Sequence, residues 1–476
     1  LNIIFITQTI KYVMNLKFKK VLLSATIFAS LFIDSQMVAQ NTSPADTINF
    51  YDITAAPSSV MPTSWTFDDC LSWALNNNTD VRRTMLNILT ARQDLLSAKD
   101  EWLPTVDFST NQGFTNYPST ETGHKSNIYS SAYNVGASWT VWDGNVRKYR
   151  IESAKLLEQQ QGLTGDNIVK TLKLGILEAY LNIMYAGEAV TIARQTLEVS
   201  TSQAERSKRL TESGLTSRVE SAQMESQRVQ DAYNLTQAIG NYENAKLALK
   251  KILMLGIDYN LNVDTVQFPD AEILAPLPDK IEVFNLATEW LPELKSNKLS
   301  QSIYANDIKI AKAGHLPSIA LQGNVGTGYT SGNGNSWGST MKYNLNENIG
   351  LTLRVPIFDG NSTKRAVAKA RLAELEYDLN KKELLDNLSQ TIEGLYINAI
   401  NARAKYEAGL AQLSAVQLND ELVNRQFELG SVNPLDLLTA HNNLLNARLE
   451  LLQSKYMAIL AQKTIHYYAT QQLNLK

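Results

Sequence analysis

The feature that most constrains this chain is that it is written twice. Asp143-Gly144-Asn145 returns 216 residues later as Asp359-Gly360-Asn361. Tyr180-Leu181-Asn182 returns at the same shift as Tyr396-Ile397-Asn398, and Gly214 as Gly430. Earlier in each half a Leu-Pro pair, Leu103-Pro104 and Leu316-Pro317, keeps the order at a shift of 213. Four markers in one order at nearly one spacing predict two copies of one supersecondary unit. The expected repeats cover 64–264 and 281–470, with a linker over 265–280 between them and a tail at 471–476.

Both halves carry the same local signals. A helix is expected over Thr66–Trp102 and again over Ile281–Gly314, each stopped at Leu-Pro, because proline forbids continuation and pushes its predecessor toward extended backbone. Two strands follow in each half, about 105–115 and 128–142, then about 318–329 and 343–358. Their loops, Asn116–Ser126 and Gly326–Asn344, are rich in Gly, Ser, Asn and Thr. From Tyr129 the odd positions run Tyr129, Ser131, Tyr133, Val135, Ala137, Trp139 and Val141, while the even ones run Ser130, Ala132, Asn134, Gly136, Ser138 and Thr140. In the second half Ile349, Leu351, Leu353 and Val355 alternate with Asn348, Gly350, Thr352 and Arg354. Period 2 means one apolar and one polar face. That fits a membrane-spanning hairpin flanked by Tyr and Trp, and equally a soluble hairpin with one face on a core.

The helices after Asp-Gly-Asn decide between the two. Leu388, Ile392, Leu395, Ala399, Ala402 and Tyr406 step by three and four, a coiled-coil seam. Leu435, Leu438, Asn442, Leu445, Leu449, Leu452, Tyr456 and Ile459 repeat it in the last helix, and Ile176, Tyr180, Ile183, Gly187, Val190 and Leu197 fit it in the first half. A continuous helix from Asn145 to Ser213 reaches about 100 Å, too long for a globular core to bury. Small and polar residues in the seam suit helices curved around a space. Four strands cannot close a membrane barrel, since these begin at about eight, and an open sheet would leave edges unpaired in lipid. Copies must therefore share a barrel, and three chains supply 12 strands.

Met14-Asn-Leu-Lys17-Phe-Lys19-Lys20, the apolar run Val21–Ile33 and the small residue Ala39 describe a secretory signal peptide, with residues 1–13 upstream of the start, cleavage after Ala39 and an extension over 40–63. The apolar run is shorter than the ~20 residues that span a bilayer. Lys+Arg 44 against Asp+Glu 47 leaves no basic surface of the kind nucleic acid requires. The single cysteine, Cys70, excludes an intrachain disulfide and a Cys-based zinc cluster, and the four scattered histidines offer no shared metal site. No metal, cofactor or catalytic residue is expected.

Taken together, these residues resemble the TolC family of outer-membrane efflux and secretion channels. The resemblance runs from Thr66 to about Tyr468. It rests on the doubled Leu-Pro, on Trp142-Asp143-Gly144 and Phe358-Asp359-Gly360 at the strand-to-helix turns, and on two tip segments. These are Gly214-Leu-Thr-Ser-Arg218-Val-Glu220 and Gly430-Ser-Val432-Asn433-Pro434-Leu-Asp436, the latter followed by Leu437-Leu-Thr439-Ala440. The resemblance implies a mainly α fold with membrane β: internally duplicated long helical hairpins forming a trimeric 12-helix α-barrel. This would be continuous with a 12-stranded outer-membrane β-barrel, four strands per chain. It implies a homotrimer seated in outer-membrane lipid, with its helices in the periplasm. There it would meet a periplasmic adaptor and an inner-membrane transporter of RND or ABC type, in a tripartite efflux or type I secretion system. Conduction would be passive, with no enzymatic step.

The same resemblance implies a gate at the helix turns. Glu220 and Asp436 stand at the family's acidic position, where three copies could ring the aperture; a solvated carboxylate in the first turn of a helix is the other reading. Family members that lock the closed gate use a tyrosine three residues before the second glycine and an arginine two after it. Phe427 and Val432 stand there and cannot make those polar links, and Thr439 stands at the place of a second acidic ring. Arg218 and Arg425 remain for substitute pairing, and Pro434 suits a first helical turn. Two rival readings are weaker. His441-Asn-Asn has no partner motif for an enzyme, and Gly323–Gly328 continues an alternating strand without the Lys and Ser/Thr of a phosphate loop. A soluble exported coiled-coil scaffold explains the heptads but not the two-faced strands.

Overall fold

The structure is a computed structural model that describes residues 62–118, 127–332 and 336–475. The signal peptide expected over 1–39, nearly all of the 40–63 extension and part of each polar strand loop lie outside the described residues. Thr66 opens helix α1 (Phe67–Asn77) with a capping box: its hydroxyl accepts from the Asp69 N–H while the Asp69 carboxylate accepts from the Thr66 N–H. The first helix does not run unbroken to Trp102. Asn78 takes extended backbone and caps a second helix, α2 (Thr79–Asp100), by accepting from the Asp80 N–H. The N–H groups of Trp102 and Leu103 close the last turn, and Pro104 delivers the chain to β1 (Thr105–Asn116). Strand β2 (Asn127–Trp142) returns antiparallel, and α3 (Val146–Glu212) then runs 67 residues, about 100 Å. Helix α4 (Arg218–Leu253) comes back along it.

A short α5 (Asp270–Ile273) lies between the halves. The second half runs through α6 (Lys280–Trp290) and α7 (Pro292–Ala313) to β3 (Ser318–Thr330). It continues through α8 (Trp337–Tyr343) and β4 (Asn346–Arg354) to α9 (Ser362–Glu428), again 67 residues, and α10 (Pro434–Thr470). The opening helix is again two, because Pro292 sits at the first position of a new helix. Strand β4 is shorter than the expected 343–358. Helix α8, capped by Ser336, takes its start, and Pro356, which has no N–H to give a ladder, takes its end. Among the described residues no helix is long and apolar enough to cross a membrane.

The four strands form one antiparallel meander in the order β1-β2-β3-β4. Residues directly opposite in a ladder share a face, so the register sorts the side chains. Val106, Ala137, Gly323 and Ile349 make one rung, and Phe108, Val135, Val325 and Glu347 the next on the same face, where the exposed Glu347 interrupts the apolar set. The other face carries Asp107, Gly136, Asn324 and Asn348, then Ser109, Asn134, Gly326 and Asn346. Strict alternation would put Trp142 with the polar set. A bulge between Thr140 and Trp142 shifts the register, and Trp142 instead pairs with Ile319 on the apolar side.

The core girdles the long helices at mid-length. Trp65, Phe67 and Cys70 pack on Ile176 and Tyr180 of α3, with Leu249 and Leu253 of α4 and Tyr456 and Ile459 of α10. Trp65 bridges to Val263, and the Tyr180 hydroxyl donates to the Asp264 carbonyl at 2.7 Å. In the second half Val283 and Ala287 of α6 pack on Leu388, Ile392 and Tyr396 of α9, and the Trp290 indole donates to the Tyr468 carbonyl. Toward the turns the buried stripe changes character. On α3 it is Ala193, Thr196, Ser200, Ala204 and Ser207, while Val190 and Leu197 are only half-buried. On α10 the seam residues Leu435 and Asn442 are exposed, and Leu437, Ala440, His441 and Leu444 are buried instead. Here α10 packs against α9 and also against the first hairpin, so a second stripe is covered.

Candidate functional site

Two regions collect the candidate residues: the turns that lead from sheet to long helix, and the turns at the far ends of the hairpins. At the first, Gly144 and Asn145 have φ of +72° and +70°, and Gly360 and Asn361 each have +65°. Two successive left-handed residues turn the chain from strand into helix within a step, a conformation open to glycine and tolerated by asparagine. Neither Asn145 nor Asn361 caps its helix with its side chain. The aspartates do it instead: Asp143 accepts from the Arg147 N–H at 3.0 Å, and Asp359 from the Thr363 N–H at 2.8 Å. Arg147 is almost fully buried, donates to the Glu101 carbonyl and lies 4.2 Å over the Trp102 ring, tying the Leu-Pro corner to the helix start.

At the far turns the two hairpins repeat one another in their backbone hydrogen bonding. Gly214 and Gly430 both have φ +74°. The Leu215 N–H reaches the Leu210 carbonyl at 2.9 Å and the Ser431 N–H the Gln426 carbonyl at 2.9 Å, the closing bond of a Schellman turn. Ser217 then accepts from the Glu220 N–H, and Asn433 from the Asp436 N–H at 3.0 Å, so both acids stand in a first helical turn. Pro434 takes the first helical position and is buried. Asp436, Arg218, Asn433 and Thr439 are exposed, Glu220 and Val432 half-buried. Thr439 turns its hydroxyl back to the Leu435 carbonyl.

Arg425 does not reach across to the first hairpin; it pairs with Glu421 one turn earlier on its own helix. What does cross was not visible in the sequence. Phe427 packs into a small apolar cluster with Ala204 of α3, Met224 of α4 and Leu437 of α10. Gln203 donates to Asn424 at 3.0 Å, and Arg206 pairs with Glu428 at 3.1 Å. Higher up, His441 of α10 faces Asp231 of α4 at 3.7 Å. The second buried stripe on α10 is the signal that locates these contacts. Among the described residues no group of His, Cys, Asp and Glu is arranged to hold a metal ion, and Gly323–Gly328 lies wholly within β3.

This architecture has known counterparts. The outer membrane protein TolC of Vibrio cholerae is 24% identical over 387 residues, 78% of this chain and 83% of its own. The alkaline protease secretion protein AprF of Pseudomonas aeruginosa is 25% identical over 313 residues, 63% of this chain and 61% of its own. The solved CmeC outer membrane channel of Campylobacter jejuni superposes with a TM-score of 0.66 at 18% identity, over 85% of this chain and 86% of that one. The soluble scaffold reading finds no support among these relatives. The sequence profile of outer membrane efflux proteins matches residues 70–253 and again 283–468, and the chain belongs to the outer membrane efflux protein family.

Proposed function

We propose that three copies of this chain close into one tube, a 12-stranded β-barrel in the outer membrane continuous with a 12-helix α-barrel in the periplasm. The carrying observation is the sheet: one face apolar, one polar, and two edge strands, β1 and β4, each paired on one side only. In a meander of four, β1 and β4 run in opposite directions, so β4 of one copy can pair antiparallel with β1 of the next. Closure then removes every edge from lipid. The two equal 67-residue helices and the twice-matched profile support an internal duplication, with repeats over 64–264 and 281–470 about a 265–280 linker.

The tube conducts passively, from an inner-membrane pump through a periplasmic adaptor to the exterior, and makes or breaks no bond. Relatives named for efflux and for protease secretion support both a tripartite efflux and a type I secretion setting. Opening is a rearrangement of the hairpin ends around Gly214 and Gly430. Mass measurement of the detergent-purified protein together with planar-bilayer recording tests the reading; a monomer that gives no current overturns it. Asp436, exposed in the first turn of α10, is the residue proposed to ring the aperture. Asp436→Ala is expected to lower cation selectivity, and unchanged selectivity removes Asp436 from the pore.

A further inference from the structure

His441 and Asp231 are the most deeply buried ionisable pair that joins the two hairpins. His441 is 6% exposed and Asp231 1%. The imidazole Nε2 lies 3.7 Å from Asp231 Oδ2, and neither atom has a hydrogen-bond partner. The other Asp231 oxygen accepts from Gln227 at 3.0 Å, and Gln227 also reaches Asn442 of α10. The charge of His441 also acts on Asp420 of α9, whose carboxyl is pushed up by burial and pulled down by His441 and Arg448. Asn424 donates to Asp420 at 3.0 Å and accepts from Gln203 of α3. Two polar clusters thus tie the long helices: Gln203, Asn424 and Asp420 between α3 and α9, and Asp231, Gln227 and Asn442 between α4 and α10, with His441 beside the second.

We propose that this pair is a proton-operated latch between the hairpins: charged His441 holds α10 to α4 through Asp231, and loss of its proton releases the hold. With the proton on, the imidazolium meets the Asp231 carboxylate and acts on the charge of Asp420, an ion pair between two almost fully buried side chains. With the proton off, 3.7 Å is too long for a hydrogen bond, and the Asp231 carboxylate is left buried with only Gln227 to offset its charge. Removing one partner of a buried pair is strongly unfavourable, and separating the hairpins to admit water relieves it. The charged groups facing His441 are Asp231 from α4 and Asp420 from α9, with Arg448 of α10 acting on Asp420; α3 contributes the neutral Gln203. Arg206 of α3 is already engaged by Glu428. A cavity of about 360 Å³ lies beside Asp231, its lining mostly apolar (Ala189, Ala193, Leu445 and Leu449) with Asn234 and Asn241 among the polar members; it is the space water enters as the hairpins part. The latch does the work that Phe427 and Val432 cannot.

The proposal rests on the hairpin ends being the gate, but its test needs no current. Nitroxide labels at Gln230→Cys and Asn443→Cys, both exposed, in a Cys70→Ser background of the full-length purified protein, report the α4–α10 separation by pulsed paramagnetic resonance. From about pH 5.5 to about pH 8 the close-to-separated ratio should fall about tenfold, which corresponds to about 1.4 kcal/mol of lost attraction between the hairpins. His441→Gln and Asp231→Asn should each abolish the pH response, and His441→Lys should keep the close distance at both pH values. A distance independent of pH in the unmodified latch, or the same response in His441→Gln, overturns it. A missing current with an intact pH response would instead count against the channel reading.

Discussion

Gly214 and Gly430 hold φ +74° with no atom within 4 Å of where a Cβ would stand. The cost of alanine there is therefore conformational alone, about 1–2 kcal/mol for a left-handed L-residue. Gly430→Ala should speed hydrogen exchange at the α9–α10 turn and leave the mid-length core untouched; unchanged exchange would mean that the turn is not left-handed in solution. Cys70 makes a second local test. Burial, with the Asp69 charge beside it, pushes its thiol up to about 12. The native protein should resist alkylation at pH 8 and become labelled only in denaturant, which mass spectrometry reads directly. The sign of the linkage follows. Above pH about 9 the unfolded chain loses the thiol proton and the folded chain keeps it, so this group lowers stability as pH rises from about 9 to about 12. Cys70→Ser should remove that part of the alkaline slope.

At the scale of elements, the sequence was most legible where a signal is local. The Leu-Pro stops, the Asp-Gly turns, the tip glycines and the strand parity each depend on a few adjacent residues. Pro292 and Pro356 were equally local signals, and they account for the second helix break and the short β4. The Asn78 break, the bulge at Val141 and helix α8 were not legible, because a cap or a register shift is selected by what lies opposite. The candidate site divides the same way. Glu220 and Asp436 are found by counting from a glycine, whereas Phe427 with Met224, or His441 with Asp231, join residues about 200 positions apart. A heptad rule names one buried stripe, and α10 has two. Leu437, fully buried in the small cluster with Ala204 and Met224, tests the unread stripe. Leu437→Ala should cost about 2–5 kcal/mol, felt locally. Proteolysis should cut the hairpin ends faster, and exchange around Trp65 and Tyr180 should stay slow. Equal loosening of both regions would make the hairpin ends and the collar a single cooperative unit.

For the whole molecule, adjacent residues on one strand test the proposed lipid-facing and water-facing roles separately. Leu351 pairs with Leu321 on the apolar face, and its neighbour Thr352 pairs with Ala320 on the polar face. Both lie in β4, an edge strand; in the proposed tube it pairs with another copy, which would couple folding of the sheet to assembly. An arginine in lipid near the bilayer midplane costs about 2–4 kcal/mol, and a closed trimer carries three of them. Leu351→Arg should therefore fail to give membrane-inserted trimer, judged by detergent extraction and native mass. Thr352→Arg puts the same charge into a water-filled lumen. It should assemble normally and shift the reconstituted current toward anions, since three guanidinium groups then line one level of the barrel. The pair controls for side-chain size and for position along the strand, leaving only the face as the variable. If both variants assembled alike, the apolar face would not meet lipid, and the need for three chains to share a barrel would lapse with it.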